Sequence, residues 1–178
     1  MTPAAENRPR PLRPTDVLKH EHRRIEERLA ALSEALELLG ERGADGPVLD
    51  RIEEIAAYID REMAVHHRKE EEGLFPVLTP YLDRHLNLDG RIADHEDLKI
   101  MSGRFQAAID ECRGDYNDLF AAQMLRGYGL YIVHLVLEHL LKEDRILFLV
   151  AEHCLSAEEE AEIFRRFRSI DASTPATV

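Results

Sequence analysis

A shift of 73 residues carries His22 onto His95, His66 onto His139, Glu70 onto Glu143, and Leu74 and Phe75 onto Leu147 and Phe148. Tyr58 moves onto Tyr131 by the same step. The chain therefore reads as two related halves, each with one lone histidine and one His-x-x-x-Glu pair. Whatever fold forms must place two equivalent sets of elements about a common centre.

Those elements are helices. An apolar stripe with steps of three and four runs through Leu18, His22, Ile25, Leu29, Leu32, Leu36 and Leu39, behind a cap at Thr15 or Asp16. Residues 40–46 break it, and Pro47 suits the first turn of a second helix bearing Ile52, Ile55, Ile59, Met63, His66 and Glu70. Gly73, Pro76 and Pro80 weaken and end that helix, and residues 83–90 form a connector. A third helix carries Ile92, His95, Leu98, Ser102, Phe105 and Ile109. A fourth carries Leu125, Tyr128, Ile132, Leu135, His139, Glu143, Ile146 and Val150. Ser156 and Glu159 form a capping box that starts a short last helix to about Arg168. No strand-like alternation of useful length occurs. The expectation is an all-α, antiparallel up-down four-helix bundle with a short extra C-terminal helix. It spans residues 15–170, between a flexible arm (1–14) and a frayed tail (171–178).

A chain of 178 residues suits one domain with its own core. The net charge of −12 argues against nucleic acid or an anionic membrane surface as partner. No uninterrupted apolar run reaches the roughly 18–20 residues of a spanning helix. The Pro- and Arg-rich start has no apolar segment of a secretory signal. Cys112 and Cys154 lack paired spacing and read as thiols of a reducing compartment, so a cytoplasmic location is expected.

His at i and Glu at i+4 lie about 40° apart around a helix and one turn apart along it, so both aim at one point. His66/Glu70 and His139/Glu143 do this, and His22 and His95 add a nitrogen from each of the other helices. Such pairs on a surface are only weak ion pairs. Buried together, two carboxylates and four imidazoles need a cation to offset their desolvation. Absence of nearby Cys disfavours a thiolate zinc site, and four histidines exclude oxygen-only ligation of Ca²⁺ or Mg²⁺. Mixed imidazole and carboxylate suits Fe, Mn or Zn. Six ligands fit two ions, with His22 and His66 on one, His95 and His139 on the other, and Glu70 and Glu143 shared. Positions then stay open for water, O₂, peroxide or NO.

These segments resemble the hemerythrin-like, His-His-Glu cation-binding domain family over about Asp16 to Ala151. The matching stretches are Lys19–Ile25 around His22, His66–Pro76, Asp94–Glu96 around His95, and His139–Phe148. The resemblance implies an up-down bundle with a non-heme diiron centre and metal roles for His22, His66, Glu70, His95, His139 and Glu143. It implies a bound O₂, peroxide or NO, in sensing, scavenging or storage. An enzyme that disproportionates hydrogen peroxide or reduces nitric oxide is the alternative. Lys99 stands where oxygen carriers of the family have a further histidine, which weighs against reversible O₂ carriage. Some members place the fourth-helix acid one residue later, at Asp144, so Glu143 and Asp144 both stand as candidates. A ferritin-like site, with Glu three residues before His, is disfavoured: none of the nine histidines has that neighbour.

Other groups read as peripheral. His67 pairs with Glu71 at the same spacing as His66 with Glu70, but the repeat maps His67 onto Leu140 and so favours His66. Glu62 and Glu26 read as solvated or hydrogen-bonding, and His20, His85, His134 and His153 as exposed. Tyr58 and Tyr131 read as core packing.

Overall fold

The computed structural model describes residues 10–82 and 88–174. The first nine residues of the expected arm, His85 with most of the connector, and the last four residues of the tail lie outside the described residues. Four long helical rods form the expected bundle. They are α1 (Pro14–Arg42), α2 (Gly46–Arg68) continued by α3 (Phe75–Leu78), α4 (Asp89–Gly114), and α5 (Leu119–Lys142) continued by α6 (Phe148–Cys154); α7 (Ala157–Ser173) follows. The rods α1 and α4 each pack against α2 and α5, which closes a four-sided ring.

Local chemistry explains the ends. Pro14 opens α1, and Asp16 accepts the Arg13 backbone N–H at 2.8 Å, so Asp16 sits inside the first turn instead of before it. Helix α1 continues through Gly40 and stops at Gly43, whose φ of 83° only glycine adopts freely. Asp45 caps α2 through the Val48 N–H, and Asp118 caps α5 through Phe120 and Ala121. The Ser156/Glu159 capping box starts α7, which runs to Ser173, beyond the expected end. Ile163, Phe167 and Ile170 are buried along α7, and that burial keeps its last turns helical.

Two turns depart from the α-helical period. Lys69–Leu74 joins α2 to α3 as a π turn, and Glu143–Leu147 joins α5 to α6 as another. They fall at equivalent places in the two halves and begin at or beside the repeat's glutamates, Glu70 and Glu143. Each π turn inserts about one extra residue into the helical repeat. The inward register of the last rod therefore slips. Leu147, Phe148 and Ala151 are buried, whereas the expected Ile146 is about half exposed.

The interior has two apolar parts. The larger fills the bundle from Ile25 to Leu39 across to Leu49–Met63, Leu98–Cys112 and Ala121–Leu140. The smaller gathers Leu18, Leu74, Phe75, Leu78, Leu147, Phe148 and residues of α7 at one end. Gly73 is needed where α7 crosses the first π turn: an added Cβ would lie 2.6 Å from the Phe167 ring. The stretch Leu119–Cys154 is, among the described residues, the one helix long and apolar enough to cross a membrane by length and composition. Its inward side supplies Leu125, Ile132, Val136, His139 and Glu143 to the bundle interior. Tyr58 and Tyr131 are not core residues. Tyr131 is half exposed, and Tyr58 accepts a hydrogen bond from Arg24 and lies under Arg28 at the surface.

Candidate metal centre

Between the two apolar clusters lies a polar layer. His22, His66, Glu70, His95, His139 and Glu143 are all buried there. Each rod contributes to it: α1 gives His22, α2 and its π turn His66 and Glu70, α4 His95, and α5 and its π turn His139 and Glu143.

The two carboxylates face both sides of this layer. Glu143 Oε2 lies 3.5 Å from His22 Nε2 and 3.8 Å from His66 Nε2. Glu143 Oε1 lies 2.9 Å from His139 Nε2 and 4.0 Å from His95 Nε2. Glu70 directs Oε1 to His66 at 3.7 Å and Oε2 to His95 at 3.4 Å. Two groups of four donors result: His22, His66, Glu70 and Glu143, and Glu70, His95, His139 and Glu143. They share both glutamates, which matches the division read from the repeat.

These donors fit a cation. Both oxygens of Glu70 and of Glu143, and the Nε2 atoms of His95 and His139, are buried without an aligned hydrogen-bond partner among the described residues, the 2.9 Å approach of His139 to Glu143 included. An orphaned buried polar atom costs about 1–3 kcal/mol, and more when charged. The Nε2 atoms of His22 and His66 are 3.1 Å apart. Two lone pairs tolerate that separation only with a proton or a cation between them.

The opposite ring nitrogens have acid neighbours. His22 Nδ1 lies 3.1 Å from Asp144, His66 Nδ1 3.1 Å from Glu21, and His95 Nδ1 2.5 Å from Glu71. His139 Nδ1 faces Asp94 at 3.9 Å, too far for a direct bond. A carboxylate accepting the Nδ1–H fixes the tautomer that leaves Nε2 free as a donor to a metal. Asp144 thus sits outside the layer while Glu143 sits within it. The sequence reading gave no outer role to Glu21, Glu71, Asp94 or Asp144. The signal was present: the 73-residue shift also carries Glu21 onto Asp94 and Glu71 onto Asp144.

Electrostatics follow from this crowding. Burial pushes the Glu143 carboxyl upward, yet the surrounding imidazoles hold it well below the usual carboxylate range. Burial pulls His66 down, but the charge of Glu70 and contacts with Glu143 and Glu21 outweigh it and raise His66 to about 10. His95 is likewise raised to about 10, by Glu143, Glu70 and Glu71 against burial. Without a metal, the layer thus holds protons where a cation would otherwise stand.

The remaining histidines divide. His20, His134 and His153 are exposed, as expected. Glu26 is exposed, and Glu62 pairs with Arg24 at 2.9 Å, away from the layer. His67 departs from the sequence reading: it lies against the layer, its ring stacked on His95. Burial and the charges of His95, His66 and His139 push it down to about 2. Beside it a cavity of about 450 Å³ runs between α2 and α4, lined by Ile59, Met63, Leu98, Ile132 and Val136 and reaching His67 and His95.

A helical bundle enclosing a buried, repeat-related set of histidines and glutamates has the makeup of a metal-binding domain. The profile of the Hemerythrin HHE cation binding domain matches residues 13–151. The chain belongs to the hemerythrin HHE cation-binding family. An uncharacterized protein of Haemophilus influenzae (strain ATCC 51907 / DSM 11121 / KW20 / Rd) is 27% identical over 150 residues, spanning 82% of each chain.

Proposed function

We propose that this chain is a cytoplasmic non-heme diiron protein that binds O₂ or a related small ligand such as peroxide or NO. The observation that carries this reading is the pairing of two shared, orphaned carboxylates with two imidazoles on either side. His22 and His66 would hold one ion, His95 and His139 the other, with Glu70 and Glu143 bridging. A pair of irons supplies redox electrons and open positions for a small ligand. Zn or Mn has the same ligand preferences and would substitute.

The chain's own residues supply the rest. Asp144, Glu21 and Glu71 orient three imidazoles with their Nε2 atoms inward. Phe148, whose ring centroid is 5.2 Å from that of His22, and Phe75, 6.3 Å from His95, help exclude water. The cavity beside His67, whose lining combines apolar side chains with Asp60, Arg68, Glu71, Glu96 and Lys99, gives a small diatomic a route to the His95 side. Two free thiols, Cys112 and Cys154, suit a reducing compartment.

The test is optical. Iron-loaded protein reduced anaerobically and then exposed to air or to NO, and the air-oxidised protein then given azide, are each expected to develop a distinct visible charge-transfer spectrum. A spectrum indifferent to all three would overturn small-ligand binding. Sustained peroxide turnover that Glu70→Ala abolishes would move the reading to an enzyme.

A further inference from the structure

Helix α5 has two apolar sides, and the bundle covers one of them. Leu125, Gly129, Ile132, Val136 and His139 face inward and are buried, at steps of three and four. Gly127, Leu130, His134, Leu137 and Leu141 follow the same steps on the opposite side of the helix, and all five are exposed. Nine of the fourteen large hydrophobic side chains exposed among the described residues lie from Leu119 to Leu149, so the apolar surface is concentrated on this one rod. Charged residues make up 33% of the chain, yet the 24 residues of α5 hold only Arg126, Glu138 and Lys142. A helix apolar on all sides belongs in an interior. Monomeric proteins rarely leave so long an apolar face in water.

We propose that this face is the interface of a homodimer, in which a second copy of the chain lies antiparallel across it about a two-fold axis at the level of His134. Shape favours a second copy. Towards the start of α5 the face opens into a groove of about 420 Å³, walled by Met101 and Arg104 of α4 and by Met124 and Tyr131. Gly127 lines this groove, and a Cβ added there would meet no atom within 4 Å. Leu141 lies as far beyond His134 as Gly127 lies before it, and is 47% exposed. A two-fold axis at His134 therefore sets the Leu141 of each copy against the Gly127 opening of the other, in two identical contacts. Area favours it too. The nine exposed side chains present on the order of 900 Å², near the roughly 800 Å² that each partner buries in a standard interface. A bilayer fits less well. Arg126 and Glu138 are exposed within the helix, where hydrocarbon would strip both charges of water. A net charge of −12 also repels anionic headgroups.

The test is sedimentation velocity on the full-length protein over a concentration series. Wild type is expected to sediment at twice the mass of the chain. Gly127→Leu fills the opening, where the chain itself leaves open space, and so obstructs Leu141 of the second copy. It is expected to weaken the dimer by more than about tenfold, since the obstruction occurs twice in each dimer. Apolar stickiness without that fit gives the opposite result, because the substitution enlarges the apolar face. A Gly127→Leu dimer as tight as that of wild type would overturn the proposal. His134→Glu sets two carboxylates against each other at the axis and is expected to leave monomers; a dimer that persists would count against it equally. Both substitutions are at exposed positions, and far-UV circular dichroism checks that each variant is folded. Wild type that stays monomeric at the highest concentration would overturn the proposal outright, and if that monomer floats with phosphatidylcholine vesicles the face belongs to a lipid surface instead. Iron content read on the same samples tests the metal centre separately, so the failure of either reading leaves the other standing.

Discussion

Replacing Glu143 by Ala should abolish most of the stabilisation that metal confers on the fold. The carboxylate lies 2.9, 3.5, 3.8 and 4.0 Å from the Nε2 atoms of His139, His22, His66 and His95, so it alone approaches all four imidazoles. Its loss therefore touches both ions. An ion that binds only the folded state stabilises by about 2.7 kcal/mol when its free concentration is about 100 times its Kd. Two independent ions would contribute about 5.4 kcal/mol on the same basis. For a chain of this size each kcal/mol moves Tm by roughly 2–4 °C, so wild type should gain about 11–22 °C. The assay is thermal melting by far-UV circular dichroism, with chelator and with excess Fe²⁺ under anaerobic conditions. Taking the metal-induced shift within each protein removes any effect of the substitution on the metal-free fold. Glu143→Ala should keep less than about 5 °C of it. Glu138→Ala, on the same helix but half exposed and paired only loosely with Lys142, should keep all of it. A Glu143→Ala shift equal to that of wild type would refute the reasoning.

Three further outcomes follow from other parts of the molecule. Glu21→Gln weakens the acceptor that orients His66 and should lower metal affinity by about 10–100-fold, read by competition with a chelator. Gly129→Ala places a Cβ 2.6 Å from Leu36 and 2.9 Å from Phe105, and should cost about 1–3 kcal/mol by overpacking, seen as a lower Tm with unchanged metal stoichiometry. The metal-free protein should be most stable in the mildly acidic to neutral range. His66 and His95, raised from 6.5 to about 10, contribute stability that is full below the unfolded value and lost as pH rises towards about 10. Glu143, depressed, contributes above its unfolded value of 4.5 and loses its contribution as pH falls through its lower folded value. Melting chelator-treated protein across pH checks both arms, and metal uptake near pH 7 should release protons measurable with an indicator dye.

Much of this architecture was legible in the chain, for identifiable reasons. Histidines that sit inside an apolar stripe must face the interior, so His22 and His95 could be placed on helices before any coordinates. The constant offset then chose His66 over His67 for the shared layer, and the structure brings the six expected side chains together. The limits were equally physical. A π turn has no residue code of its own, and its extra residue turned Ile146 outward and Leu147 inward. The place of His67 against the layer escaped because it depends on the crossing of α2 with α4, which spacing along one helix does not contain. The outer carboxylates were missed because Glu71 was read only as a peripheral partner of His67 and Asp144 as a rival to Glu143, while Glu21 and Asp94 were given no role of their own. Yet Glu21, Glu71, Asp94 and Asp144 each adjoin a member of the layer in sequence and obey the same offset. Lys69 shows where symmetry ends. It is buried beneath α7, 2.5 Å from Glu21 and 2.8 Å from Asp171, whereas Lys142 at the equivalent position is exposed, since α7 covers only one of the two π turns.

Elemental analysis of the purified full-length chain, reconstituted anaerobically with Fe²⁺ and passed over a desalting column, tests the centre most directly. Two irons per chain are expected, falling to one or none in Glu143→Ala. Well under one iron per chain in the wild-type protein, with neither Mn nor Zn in its place, would contradict the account.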